Sequence, residues 1–148
     1  MNDAKNTLED RSLVHDDDLH EALAMLLDRA IRRQMWLLFL DDDDRLAGPL
    51  MPMDDYPQDP HALIATDDLG ELPQAHALLQ RCEMLREITG NARIVLAWER
   101  EGGDGFTTAD REWATAMGDA AELFDVPLRG QFVVHSGGVR QFHPDDRL

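Results

Sequence analysis

The stretch from Asn91 to Phe142, NARIVLAWEREGGDGFTTADREWATAMGDAAELFDVPLRGQFVVHSGGVRQF, decides the fold. Ile94-Val95-Leu96-Ala97-Trp98 is continuously apolar rather than alternating, the pattern of a strand buried on both faces. Gly102-Gly103-Asp104-Gly105 cannot continue it, because Gly and Asp favour turns. Thr107 is placed to cap a helix, with Asp110 three residues later near the positive helix end. Trp113, Met117, Ala120, Ala121 and Phe124 recur at helical spacing, and Pro127 and Gly130 close the helix. Gln131 to His135 reads as a second strand, Gly137-Gly138 as a two-residue hairpin turn, and Val139 to Phe142 as a short returning strand. Strand, loop, helix, strand is a unit of a layered α/β fold.

Upstream, Met35 to Leu40 (MWLLFL) is the most apolar run and predicts a central strand. Asp41 to Asp44 follow. Calcium loops space their ligands at alternate positions around a central Gly, so four adjacent acids read instead as a solvated hairpin tip. Arg45 to Met53 returns as a strand that Pro49 and Pro52 confine to an edge or make irregular. Asp54 to Pro73 is a long connector that holds either a short strand near Leu63 to Ala65 or a functional loop. Leu72, Ala75, Leu78, Leu79, Cys82, Leu85 and Ile88 then form the stripe of an amphipathic helix capped by Gly90. Cys82 on that stripe reads as a core residue rather than a nucleophile. At the start of the chain, Asp18 with Glu21 fits a capping box. Leu19, Leu23, Leu26, Leu27, Ala30 and Ile31 form the apolar stripe of a helix ending near Arg33. That stripe can cover the domain's own sheet, or meet a partner or a second copy through Leu19, Leu23, Leu26 and Ile31. The expected architecture is a three-layer mixed sheet with flanking helices. It comprises a flexible segment over 1–18, one α/β domain over 19–143 and a tail over 144–148.

The segment Trp98-Glu99-Arg100-Glu101-Gly102-Gly103, followed by Thr107-Thr108-Ala109-Asp110, resembles the second half of a RadC-like JAB (JAMM) domain. In that family a buried strand runs into H-N-H-P-S-G, and S-x-x-D opens the next helix. Gly103 and Asp110 match the pattern, Thr107 replaces its Ser with another hydroxyl, and the loop between is one residue shorter. Trp98 and Arg100 stand where the family has its two metal-binding histidines, and neither side chain ligates zinc. The resemblance spans roughly Met35 to Phe142 by element order, and by motif only Trp98 to Asp110. It implies the cytidine-deaminase-like/JAB architecture without the family's metal-dependent hydrolysis, and no cofactor. It also places Trp98 at the former active-site cleft, where the indole would act as a plug.

The formal net charge of −16 comes from 30 Asp and Glu against 14 Lys and Arg. Such acidity repels nucleic-acid phosphates and anionic membranes, and no basic patch is evident beyond Arg29, Arg32 and Arg33. The first residues, MNDAKNTLED, lack a basic n-region and an apolar h-region, and no apolar run approaches the ~18 residues of a membrane span. A single cysteine forbids an internal disulfide and the deaminase P-C-x-x-C motif. A cytoplasmic protein is expected. The six histidines show no zinc-motif spacing, although His135 and His143 flank the last hairpin. Gly102 to Gly105 before a helix is similar to a phosphate cradle, but it lacks the P-loop Lys and carries Asp104 and Glu101 beside it.

Two functional readings follow. One is a non-catalytic, metal-free domain that acts through protein contacts as an interaction or regulatory module. The other is an enzyme or small-anion binder in a cleft formed by Trp98, Glu99, Arg100, Thr107 and Asp110, with Glu99 and Asp110 as acid/base groups and Arg100 holding an anion.

Overall fold

A computed structural model describes residues 11–54 and 56–147; residues 1–10, which open the segment read as flexible, lie outside the described part. In chain order the elements are α1 (Asp16–Leu27), β1 (Gln34–Leu40), β2 (Leu46–Asp54), β3 (Leu63–Thr66), β4 (Gly70–Pro73), α2 (Gln74–Thr89), β5 (Arg93–Glu99), α3 (Thr108–Leu123), β6 (Leu128–His135) and β7 (Gly138–Phe142). A 3₁₀ turn, Pro144–Asp146, follows. Five strands form one mixed sheet in the order β2-β1-β5-β6-β7, and β3-β4 make a separate two-stranded ribbon. β1 runs antiparallel to both its neighbours, β5 and β6 are parallel with α3 between them in the chain, and β7 folds back antiparallel on β6.

The continuous apolar runs are continuous because both faces of the sheet are covered. Met35, Leu37, Phe39, Ile94, Leu96 and Trp98 point to one face, under α2 and α3. Leu38, Leu40, Val95, Ala97, Phe132 and Val134 point to the other, under α1. Alternate residues of one strand thus enter different cores, and each large aliphatic or aromatic side chain removed from water contributes roughly 1.5–3 kcal/mol. The result is the three-layer α/β arrangement that the element order predicts.

Several details depart from expectation. α1 starts at Asp16 and stops at Leu27 instead of running on to Arg33. All three acids Asp16 to Asp18 occupy its first turn, where the helix dipole favours them. Asp18 and Glu21 pair with Arg11 rather than forming a capping box. The helix ends because Asp28 takes a left-handed φ of 54°, and the chain then turns onto the sheet as Ala30 N–H donates to His135 O at 2.8 Å. Residues 11–18 are therefore part of the domain, and Leu13 is fully buried. Leu19 and Leu23 also lie wholly in the domain's own core, so they are not free to meet a partner; Leu26 and Ile31 are exposed.

Leu72 belongs to β4 rather than to α2, which begins only after Pro73. Ile88 is 72% exposed, because the buried face follows Ala75, Leu79 and Cys82 and Ile88 falls outside it. Gly90 caps α2 with a left-handed φ of 72°. Within the connector read over Asp54 to Pro73, residues 63–73 form the β3-β4 ribbon. β2 is an edge strand, as its prolines require. His135 pairs with Gly138, so the last hairpin turns on Ser136-Gly137 and not on Gly137-Gly138. The tail is docked as well: Arg147 pairs with Asp119 of α3. Among the described residues no helix is long and apolar enough to cross a membrane.

Candidate functional site: a filled cleft at the end of β5

β5 delivers Trp98 and Glu99 at its last two positions, and strand alternation sends them to opposite faces. Trp98 is 1% exposed among α3 and the connector. Its indole N–H donates to Gln131 Oε1 at 3.0 Å, and Gln131 Nε2 donates onward to Ala114 O at 2.8 Å, which ties β5, β6 and α3 together. Tyr56 packs edge-on against Trp98 and Trp113, with ring centroids 5.2 and 5.4 Å away, and the two indoles lie 5.4 Å apart. Trp113 donates to Pro57 O at 3.0 Å, which pins the connector over the ring cluster.

Glu99 does not reach this cleft. Its carboxylate is buried on the α1 side and accepts from Ile31 N–H (2.8 Å), Arg32 N–H (3.1 Å), Gln34 Nε2 (3.1 Å) and the Trp36 indole (2.7 Å). Burial acts to raise its pKa, but these donors outweigh it and hold Glu99 below the ordinary glutamate value. It is a clasp for the 28–33 turn and not an acid/base group of the cleft.

Arg100, Thr107 and Asp110 do come together. Thr107 Oγ1 accepts from Asp110 N–H at 3.0 Å and Asp110 Oδ2 accepts from Thr107 N–H at 2.9 Å, a reciprocal cap that starts α3. Arg100 Nη2 donates to the same Asp110 Oδ2 at 2.8 Å, with the two side chains only 13% and 5% exposed. Nε also donates to Asp110, at 3.2 Å, while Nη1 donates to Gly103 O at 2.6 Å and Nη2 to Gly105 O at 2.9 Å. Gly102 takes a φ of 118°, a conformation that favours glycine and lets the loop wrap the guanidinium. The loop therefore turns carbonyls toward Arg100, whereas an anion cradle presents N–H groups.

What is left is a cleft of about 120 Å³ lined by Arg33, Tyr56, Trp98, Arg100, Asp110 and Trp113. Arg33 and Tyr56 are its unforeseen members. The Arg33 guanidinium sits 3.6 Å over the Tyr56 ring and donates to Tyr56 O at 2.6 Å. A lone aromatic between Pro52 and Pro57 in a polar connector was the available signal, since such a ring folds onto a core. The larger concavity lies elsewhere, between α3 and β6-β7, at about 530 Å³. Its two arginines are already paired, Arg129 with Asp16 and Arg147 with Asp119.

His135 and His143 lie at opposite ends of the β6-β7 hairpin and do not converge. Cys82 is fully buried and its thiol is pushed up to about 12 by burial, so it is no nucleophile at neutral pH. Among the described residues no three His, Cys, Asp or Glu side chains gather as a metal site would need. No protein-family model matches the chain, and a search of curated proteins returned no match.

Proposed function

We propose that this chain is a non-catalytic, metal-free domain of the JAB type that works as a protein-interaction or regulatory module. One observation carries the reading. The position at which the resemblance puts the first metal ligand holds Trp98, 1% exposed, and the position of the second holds Arg100, bonded to Asp110, the third. An indole offers only a donor N–H and an apolar face, and a guanidinium has no lone pair for a metal. The carboxylate that could still ligate is already committed to Arg100 and to the start of α3. The strand order and the helix following β5 support the same architecture.

Zinc analysis tests this. Protein purified without chelator should carry far less than one zinc per chain, and calorimetric titration with zinc should show no stoichiometric site. Near-stoichiometric zinc that disappears in Asp110→Ala or His135→Ala would overturn the reading. A second reading, a small-anion binder, draws support from Arg33, which faces the 120 Å³ cleft and makes no ion pair among the described residues. That volume suits about four waters, so the anion would be no larger than acetate or carbonate. A saturable acetate or carbonate titration that is abolished in Arg33→Gln would favour it.

A further inference from the structure

We infer that the β3-β4 ribbon is a docking edge, and that its occupant is an extended basic segment of a partner protein, with alternating apolar side chains, that adds a third strand along β3. The inference rests on the protein-contact reading above and gives that reading a place and a partner chemistry.

The ribbon has four residue pairs, from Leu63↔Pro73 to Thr66↔Gly70, and belongs to neither face of the main sheet. Two strands alone are marginal in water. The base of this ribbon is anchored where Gln74 N–H donates to Ala62 O and Ala75 N–H to Pro60 O. Beyond that base, among the described residues, the backbone of β3 bonds to no element except β4. The side chains that would cover an added strand are already apolar and in water: Leu63 is 63% exposed, Ile64 37% and Leu69 53%.

Comparison with the main-sheet edge decides what the ribbon is for. Edge strands are commonly blunted by proline or by charged side chains. Of the main-sheet edges, β2 carries Pro49 and Pro52 and β7 carries Arg140, whereas β3, Leu63-Ile64-Ala65-Thr66, carries neither a proline nor a charge. An open edge with exposed apolar side chains suits strand addition, in which backbone bonds give affinity and side-chain pockets give selectivity.

The charge of the region selects the occupant. In sequence no Lys or Arg lies between Arg45 and Arg81, and along the ribbon and its approach Asp59, Asp67, Asp68 and Glu71 are acidic, while Asp54 is already paired with Arg32. A second copy would bring the same acids against these and be repelled, whereas a Lys/Arg-bearing strand would be steered in and held. The basic strand is assigned to another protein, because this chain carries only 14 Lys and Arg against 30 Asp and Glu.

The test uses the full isotope-labelled chain and an eight-residue peptide alternating Lys and Val. Titration is followed by amide chemical shifts at about 0.15 M salt, where diffuse attraction is screened. Two control peptides replace Lys by Glu, or replace alternate Val by Pro so that charge is kept and strand pairing is lost. The expected result is saturable shifts confined to residues 62–73. They should weaken at least tenfold with the Pro peptide and vanish with the Glu peptide. The Leu63→Asn, Leu69→Asn double variant changes only exposed side chains and leaves the charge alone; it should melt like the wild type and bind at least tenfold more weakly. Absence of binding, equal binding of the Pro peptide, or shifts at the Asp41 to Asp44 tip would overturn the proposal. Shifts at Leu26 and Ile31 would move the docking site while leaving the protein-contact reading intact; the zinc result tests that reading separately. A dimer seen by light scattering and abolished by Leu63→Glu would assign the edge to a second copy and overturn the basic partner.

Discussion

Trp98 and Glu99 are adjacent and do unlike work. Trp98 fills the interior between the sheet and α3, so its removal leaves a void lined by Tyr56 and Trp113 and takes the donor from Gln131 Oε1. Trp98→Ala should cost about 3–5 kcal/mol, which for a domain of this size lowers the melting temperature by roughly 10–20 °C. A variant that melts like the wild type but loses a binding activity would make Trp98 a recognition residue instead of a plug. Glu99 is a test of pH. Its folded pKa is depressed below the ordinary value of 4.5, so its stabilisation is fully present above that pH. It is lost as pH falls through the lower folded value. Glu99→Gln sets an amide donor among four donors and should cost roughly 1–3 kcal/mol at pH 7. Its stability should also fall less steeply than the wild type's below pH 4.5 in chemical denaturation. Identical acid profiles for the two proteins would remove Glu99 from this role.

Among the elements, α1 is the one whose part could be read two ways. A stripe of Leu19, Leu23, Leu26 and Ile31 is compatible with an external partner, but the sheet has a second apolar face, and α1 is what covers it. Deleting residues 1–34 would expose Leu38, Val95, Ala97, Phe132 and Val134 to water. The truncated chain should fail to melt cooperatively and should bind a hydrophobic dye, as apolar-exposed states do. A truncation that stays folded, with the full chain losing an oligomer, would return α1 to the role of a contact helix. The loop from Gly102 to Gly105 gives the opposite lesson. Its glycines suggest a ligand cradle, yet the carbonyls of Gly103 and Gly105 are spent on Arg100, a side chain three and five residues away.

Over the whole molecule the governing feature is charge. Thirty acids face fourteen bases in the chain, and the eight ion pairs among the described residues leave most of the described acids without an ion-pair partner there. Self-repulsion destabilises the compact state and is screened over about 10 Å at 0.1 M salt. The melting temperature should therefore rise by a few degrees between about 0.01 M and 0.3 M sodium chloride, because repulsion among surplus acids outweighs exposed ion pairs worth at most ~1 kcal/mol each. A fall over that range would show that the ion pairs prevail.

Much of this fold is written locally. Continuous apolar runs at Met35 to Leu40 and Ile94 to Trp98 read as strands buried on both faces, and Thr107 with Asp110 as the opening of a helix, since dihedral preference, capping and side-chain period act between near neighbours in the chain. The pairing of Arg100 with Asp110, the direction of Glu99 away from Trp98's cleft, the arrival of Arg33 and Tyr56 beside it, and the choice of the sheet over a partner for Leu19 and Leu23 were decided only in three dimensions. Those contacts join residues far apart in sequence. Their partners are chosen by which buried charge must be satisfied and which apolar face must be covered, and both are properties of the assembled layers rather than of any one segment.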